Sequence, residues 1–324
     1  MRLPSRRFPF FFGLLLLAAA ATLLPLSLLR GAEPRAARGR ADAALQQERG
    51  RIRVQVDLVN VLVSVSDARH RPVPDLTRGA FVIEEEGVPQ KIEVFESETQ
   101  QPLDLVLMID SSLSAQKEMA AEREAAARFI RQVLRTSDQM ALYEFDETVT
   151  QLVPFTNDVA RLQSAVRRVS EGAGTSIYDA VLLGARALER RGDERRRVII
   201  LVTDAGETTS HSDFDTARKE AVRSGALLYT IVIRSIRGES GRNTAGEHAL
   251  ETITDTTGGA LFFPDSSQDL DAIFERIDRE LRTQYRLAYY PKPRGPAGSF
   301  RTIEVKVQGD YEVRHRKGYF TAPE

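Results

Sequence analysis

Apolar and polar residues alternate in two parts of the chain that lie far apart in the sequence. The first part begins with IRVQVDLVNVLVSVSD, from Ile52 to Asp67, and continues into FVIEEEGVPQKIEVF, which predicts a hairpin with Gly87 at its tip. The second part contains TQYRLAYY, RTIEVKV and EVRHRKGYF near the other end of the chain. These last strands are too few to form a stable domain alone. We therefore predict that residues 51–100 and residues 285–324 pack together as one small β-sandwich.

Between these two parts the pattern changes to apolar strands separated by amphipathic helices. LDLVLMI, which begins at Leu103, is a nearly unbroken apolar run, as expected for a strand in the middle of a parallel sheet. QKEMAAEREAAARFIRQVL has apolar residues at helical spacing, and the alternation continues through MALYEF, VIILVT and ALLYTIVI. A last helix, SQDLDAIFERIDRELRTQ, ends near Gln284. This order predicts a doubly wound, mostly parallel α/β sheet over residues 103–284, inserted into or flanked by the β-sandwich.

The N-terminus has the order of charges that is typical of an export signal. Arg2, Arg6 and Arg7 precede an uncharged apolar stretch from Phe8 to Leu29. Two outcomes are open, because RGAEPRAARGRADA offers small-residue cleavage sites, whereas the apolar length is also that of a membrane span. We expect residues 1–30 to be a signal peptide or membrane anchor and residues 31–50 to be a linker. The protein is then periplasmic, secreted or on the cell surface, and an uncleaved N-terminal helix would be its only contact with a membrane.

The composition argues against several classes of binding partner and several kinds of site chemistry. The 324 residues carry 45 Lys and Arg against 46 Asp and Glu, so no large field attracts nucleic acid or anionic lipid. The chain has no cysteine, which excludes disulfides, thiolate metal sites and a cysteine nucleophile. Its four histidines lie far apart and match no zinc-binding spacing. The sequence therefore predicts neither a nucleic acid partner nor a zinc site of the usual kind.

Oxygen-bearing side chains follow the strands of the predicted α/β sheet. Asp110 ends the first strand and is followed by Ser112 and Ser114, Asp204 ends VIILVT, and Thr175 lies in the loop EGAGTSIYDA. Ligands of doubly wound sheets bind outside the carboxyl ends of the strands, so we expect these side chains at one edge. Oxygen ligands suit Mg²⁺, Mn²⁺ or Ca²⁺. An isolated Asp-x-Ser-x-Ser is more often a helix cap, but the joint set favours a metal site, with a degenerate, metal-free site as the alternative.

The same motifs carry a resemblance to a known family. The D-x-S-x-S motif, the threonine of GAGTSIYDA and the aspartate of LVTDAGE occur in the order of the von Willebrand factor A-type domain with its metal-ion-dependent adhesion site. The resemblance covers about residues 103–284, and the family's domain is doubly wound and Rossmann-like. The flanking segments resemble a bacterial exported family in which an A-type domain is bracketed by β segments. One departure is Ala205, where the family often has glycine.

The resemblance implies a role for each candidate ligand. It makes Ser112 and Ser114 direct metal ligands and Asp110 and Asp204 the groups that neutralise the charge of the ion. It makes Thr175 a ligand that binds directly or through water according to the state of the domain. A sixth coordination position would stay open for a carboxylate of a protein partner.

Three classes of function follow from these residues. The resemblance and the residue types favour a divalent-metal-dependent, adhesion-like module that binds a protein ligand through an acidic residue. The alternative is a metal-dependent phosphoryl-transfer or hydrolytic enzyme, since an aspartate beside a metal can accept a phosphoryl group or activate water. Against it, the position two residues after Asp110 holds Ser112 rather than a carboxylate, and no G-x-S-x-G elbow or phosphate loop occurs. We therefore expect no catalysis, and an envelope scaffold with a structural metal is the third class.

Three further interpretations concern helix ends. Asn157 is expected to cap the helix DVARLQSAVRRV. The arginines of ARALERRGDERRR are expected at a solvated helix end, where positive charge favours the helix dipole. By analogy with relatives that move their last helix, a shift of residues 268–282 would be felt in the β segment that begins at Tyr285.

Overall fold

The computed structural model describes residues 58–97, 100–112, 119–192, 194–233 and 243–322. The predicted signal peptide or anchor, the linker and Ser114 lie outside these ranges. Within them, no helix is long and apolar enough to cross a membrane.

The secondary structure alternates as the sequence pattern predicts. The strands, in chain order, are β1 (Val59–Ser66), β2 (Phe81–Glu85), β3 (Val88–Gln90), β4 (Ile92–Glu96), β5 (Leu103–Asp110), β6 (Gln139–Phe145), β7 (Val149–Thr156), β8 (Arg196–Thr203), β9 (Leu227–Val232), β10 (Leu261–Phe262), β11 (Tyr285–Tyr289), β12 (Phe300–Val307), β13 (Glu312–His315) and β14 (Gly318–Phe320). The helices are α1 (Met119–Val133), α2 (Val159–Val166), α3 (Ile177–Glu189), α4 (Phe214–Ser224), α5 (Thr244–Thr257) and α6 (Leu270–Thr283). Short 3-10 turns over Arg78–Ala80 and Ser267–Asp269 precede β2 and α6.

A six-stranded sheet in the order β10-β9-β8-β5-β6-β7 forms the α/β part of the chain. Its pairs are parallel except for β7, which runs antiparallel to β6, and β5 is buried at every position. Helices cover both faces: Phe129 of α1 and Ile277 of α6 pack on one side, and Val181 of α3 and Ala221 of α4 pack on the other. The chain leaves β5 for β6 on one side and later returns through β8 to the other, so strand order reverses between β5 and β8. This is the predicted doubly wound, mostly parallel sheet.

Two antiparallel four-stranded sheets, β13-β1-β11-β4 and β14-β12-β2-β3, form the β part. Each sheet joins strands from both ends of the chain: Val61 pairs with Leu287 in one, and Ile83 pairs with Val305 in the other. These residues and the buried ring of Tyr285 share one hydrophobic core. The predicted fold class is therefore confirmed, whereas the boundaries of the individual domains stay a prediction.

A buried carboxylate on the last helix joins the α/β part to the β-sandwich. Glu280 of α6 accepts hydrogen bonds from the hydroxyl of Ser64 on β1 at 2.8 Å and from the phenol of Tyr229 on β9 at 2.6 Å. Arg314 of β13 forms an ion pair with the second oxygen of the same carboxylate. One side chain therefore links the last helix to the α/β sheet and to two strands of the sandwich.

The structure corrects two of the helix-end interpretations. Asp158, not Asn157, caps α2, because the helix begins one residue later than expected and the Asp158 side chain accepts from the N–H of Arg161. The arginines after α3 are not simply solvated: Arg191 and Arg195 both pair with Asp104, which is fully buried at the start of β5. A buried carboxylate requires a charge partner, and these two guanidinium groups supply it.

Candidate metal site

Asp110 lies buried at the carboxyl end of β5, beside the point where strand order reverses. Its Oδ1 accepts from the N–H of Ser112 at 3.0 Å, and its Oδ2 accepts from the hydroxyl of Thr203, at the end of β8, at 2.6 Å. The pKa of Asp110 is raised from 3.8 to about 6, chiefly by burial and to a lesser extent by the negative charge of Asp204, while these two hydrogen bonds oppose the rise. The carboxylate is thus oriented at both oxygens, and its charged neighbour among the described residues is another carboxylate rather than a cation.

Asp204 follows β8 directly and lies in a tight turn. Its Oδ1 accepts from the N–H of Gly206 at 2.9 Å, and Ala205 between them has a φ of 65° and no exposed surface. The N–H of Ala205 donates to the hydroxyl of Thr203 at 3.1 Å. Sequence reasoning missed Thr203, although a hydroxyl at the end of an otherwise apolar strand, next to Asp204, is a usable signal. Thr203 therefore connects the turn of Asp204 to the carboxylate of Asp110.

Ser112 lies in the loop after β5, which is fixed on two sides. The N–H of Ser111 donates to the carbonyl of Phe145, at the end of β6, at 2.9 Å. The carbonyl of Ser111 accepts from the N–H of Gly172 at 2.7 Å, and Ser112 forms a parallel bridge with Gly172. A Cβ on Gly172 would lie 2.0 Å from Oδ2 of Asp146, so only glycine fits this close approach. The loop of Ser112 is thereby held against the segment that leads to Thr175.

Thr175 lies buried just before α3 and is bonded to the loop that follows Asp204. Its N–H donates to the hydroxyl of Thr208 at 2.8 Å, and its carbonyl accepts from the N–H of Thr208 at 2.9 Å and of Thr209 at 3.2 Å. Gly174 has a φ of 70°, which turns the chain into this position. The predicted residues Asp110, Ser112, Thr175 and Asp204 consequently lie at a strand end and on loops that hydrogen-bond to one another, and their assignment as metal ligands stays a prediction.

The chemistry of this edge fits a hard divalent cation. Two carboxylates lie near each other, one of them buried with a raised pKa, and the neighbouring side chains of Ser112 and Thr175 are hydroxyls. A cation would supply the missing positive charge, and oxygen ligands suit Mg²⁺, Mn²⁺ or Ca²⁺. No group of three or more His, Cys, Asp or Glu converges as a metal site in the described parts of the chain. A metal site here would therefore combine carboxylates with hydroxyls.

Comparison with known proteins identifies the family. The sequence profile of the von Willebrand factor type A domain matches residues 104–276, more than half of the chain, and the chain belongs to the von Willebrand factor type A family. A search of curated proteins gives no significant match.

Solved structures resemble this chain at low sequence identity. A von Willebrand factor type A protein from Catenulispora acidiphila has a TM-score of 0.50 and 13% identity, over 82% of this chain and 73% of that chain. Protein BatB from Bacteroides thetaiotaomicron has a TM-score of 0.45 and 16% identity, over 56% of this chain and 100% of that chain. Proximal thread matrix protein 1 from the mussel byssus, described with a zinc-occupied metal-ion-dependent adhesion site, has a TM-score of 0.48 and 17% identity, over 61% of this chain and 49% of that chain.

Proposed function

We propose that this protein is a divalent-metal-dependent protein-binding module of an exported protein. The observation that supports it most strongly is the buried carboxylate of Asp110, which is oriented by Thr203 and Ser112 and whose charged neighbour, within the part of the chain that the structure describes, is Asp204 rather than a cation. Burying a charge without a partner is costly, so such a group is retained where a bound cation compensates it. Membership of the von Willebrand factor type A family agrees with an interaction module.

The residues have distinct roles in this proposal. Ser112, Ser114 and Thr175 offer hydroxyl oxygens to the ion, and Asp110 and Asp204 neutralise its charge. Mg²⁺ is the expected ion, with Mn²⁺ or Ca²⁺ as alternatives. When bound, the ion supplies a Lewis-acid position that an acidic side chain of a protein partner can occupy. Hydroxyl ligands leave the ion less neutralised than carboxylates would, which favours capture of an incoming anion.

Binding rather than catalysis is the expected outcome at this edge. A phosphatase of this design requires a second carboxylate two residues after Asp110, and Ser112 stands there. The N-terminal arginines and the apolar stretch that follows them support an exported protein, periplasmic, secreted or at the cell surface. The partner in this proposal is a protein with an exposed acidic residue.

Acetate tests the open coordination position, because it carries the same carboxylate group as the side chain of an acidic partner residue. Mn²⁺ bound at the site should increase the relaxation rate of acetate methyl protons in solution with the wild-type protein, since acetate enters the position reserved for the partner's carboxylate. Asp110→Ala should abolish the protein-dependent part of this effect. Asp158→Ala, which removes the cap of α2 instead, should retain it. Equal relaxation with wild type and Asp110→Ala would contradict the proposal.

A further inference from the structure

Two carboxylates connect the loop that begins at Asp204 with the helix that follows Thr175: one belongs to the loop and bonds to the helix, and the other belongs to the helix and bonds to the loop. Glu207 accepts hydrogen bonds from the N–H groups of Ile177 at 2.7 Å and Tyr178 at 3.3 Å, in the first turn of α3. In return, Asp179 of α3 accepts from the N–H groups of His211 at 2.8 Å and Ser212 at 2.9 Å. The two segments are therefore joined reciprocally, and Asp179 belongs to this contact.

The cap of α3 comes from outside the helix. Ser176 occupies the N-cap position, yet its side chain makes no capping bond and its hydroxyl is buried without a hydrogen-bond partner among the described residues. The first N–H groups of any helix have no partner within the helix, and a carboxylate there also interacts favourably with the helix dipole. Glu207 fills this role for Ile177, and the hydroxyl of Ser210 also accepts from the N–H of Tyr178 at 3.0 Å, so the start of α3 depends on the loop that follows Asp204.

Glu207 is itself held in a fixed orientation. The N–H and the hydroxyl of Ser210 both donate to its carboxylate at 2.8 Å. The intervening residues Thr208 and Thr209 bond directly to the backbone of Thr175. A displacement of Glu207 would consequently move Thr175 relative to Asp204, although Glu207 itself contacts neither side chain in the hydrogen bonds above.

We propose that Glu207 is a positioning residue that sets the placement of Thr175 relative to Asp204 and thereby the metal affinity of the site. The inference rests on the proposed metal-dependent function and names a residue outside the predicted ligand set. Removing groups that orient metal ligands lowers metal affinity about 10-fold to 100-fold in other proteins. We expect a loss in this range for Glu207→Ala and a smaller one for Glu207→Gln, which keeps one oxygen for the N–H groups of α3.

The test combines Mn²⁺ titration calorimetry with amide hydrogen exchange of the full chain in chelator. Asp158→Ala is the matched control, because it also removes a carboxylate that caps a helix but lies on α2. Glu207→Ala should weaken Mn²⁺ binding and accelerate exchange at Ile177, whose N–H donates to Glu207, whereas Asp158→Ala should leave both unchanged. Glu207→Gln keeps the test valid if the alanine variant does not fold.

The outcomes separate this inference from the proposed function. If the wild type binds Mn²⁺ and both Glu207 variants bind it with wild-type affinity, the positioning role is overturned while the metal-dependent function stands. Equal weakening by Glu207→Ala and Asp158→Ala also overturns it, because general destabilisation would then explain the loss. If the wild type binds no Mn²⁺, the proposed function fails and this inference fails with it.

Discussion

The hydroxyl of Thr203 donates a 2.6 Å hydrogen bond to Oδ2 of Asp110 across the junction of β8 and β5. The same hydroxyl accepts from the N–H of Ala205 at 3.1 Å. A single side chain therefore orients the buried carboxylate and the turn that carries Asp204.

Replacing this hydroxyl should destabilise the ionised form of Asp110. Thr203→Val keeps the shape of the side chain but leaves one carboxylate oxygen and the N–H of Ala205 without this partner, at a cost of about 1–3 kcal/mol for a buried polar group. Thr203→Ser retains the hydroxyl and serves as the control. Urea unfolding in chelator at about pH 7.5 measures both variants. Equal stability of Thr203→Val and Thr203→Ser would show that the hydrogen bond does not matter.

The raised pKa of Asp110 predicts the pH dependence of the metal-free protein. The pKa is 3.8 without the fold and about 6 within it, so the folded state binds this proton more tightly. The contribution of Asp110 to the free energy of unfolding is most favourable below about pH 4 and is lost as the pH rises through about 6. A rise of about two pKa units corresponds to a change of roughly 3 kcal/mol in this free energy.

Asp110→Asn removes this ionisation. Its stability advantage over the wild type in chelator should therefore grow by about 3 kcal/mol between about pH 4 and pH 7. Excess Mg²⁺ at pH 7 should stabilise the wild type and not the variant. A pH-independent difference between the two proteins would contradict the placement of an uncompensated carboxylate in this site.

Ala205 occupies a backbone conformation that favours glycine. Its φ is 65°, and its methyl group is fully buried. Ala205→Gly relieves about 1 kcal/mol of backbone strain and loses a buried methyl group of similar value, so stability should stay within about 1 kcal/mol of the wild type. Ala205→Val should be clearly destabilising, because branched side chains rarely adopt positive φ. Thermal unfolding of the two variants checks the order, and a more stable valine variant would be inconsistent with this conformation.

The carboxylate of Glu280 should contribute more to the stability of the fold than an exposed carboxylate on the same helix. Glu280→Gln leaves Arg314 without its buried charge partner. Breaking a buried ion pair in this way lowers the free energy of unfolding of other proteins by about 3–5 kcal/mol. Glu275 pairs with Arg279 on the exposed face of α6, and Glu275→Gln should cost less than about 0.5 kcal/mol. Urea unfolding of the two variants measures the contrast, and equal losses would contradict the buried link.

The same pair of variants addresses the predicted coupling of the last helix to the β-sandwich. If α6 transmits its position to the site, Glu280→Gln should change Mn²⁺ or ligand affinity and Glu275→Gln should not. Unchanged affinity in both would remove the coupling hypothesis.

The main fold was predictable because its signals are local. The unbroken apolar run of β5 indicates a strand buried on both faces, and the alternating strands near both ends of the chain indicate strands buried on one face. These patterns predict the type of each sheet, whereas the strand order is known only from the structure. The pairing of Asp104 with Arg191 and Arg195 was not predictable in this way. An acidic residue in an apolar strand does not identify a partner that lies far along the chain.

The candidate site was predictable to a similar extent. The positions of Asp110 and Asp204 at strand ends predict that both lie at one edge of the sheet. Ser114 lies outside the described residues. Thr203 could have been singled out as a hydroxyl at the end of an apolar strand, but its partner Asp110 and the helix that Glu207 caps lie in separate segments that no sequence spacing identifies.

Calorimetric titration of Mg²⁺ and Mn²⁺ into the full chain, beside Asp110→Ala and Ser112→Ala, tests the metal-dependent function most directly. The account predicts that the wild type binds one ion and that neither variant binds it with comparable affinity. Absence of binding by the wild type, or equal binding by all three proteins, would contradict it.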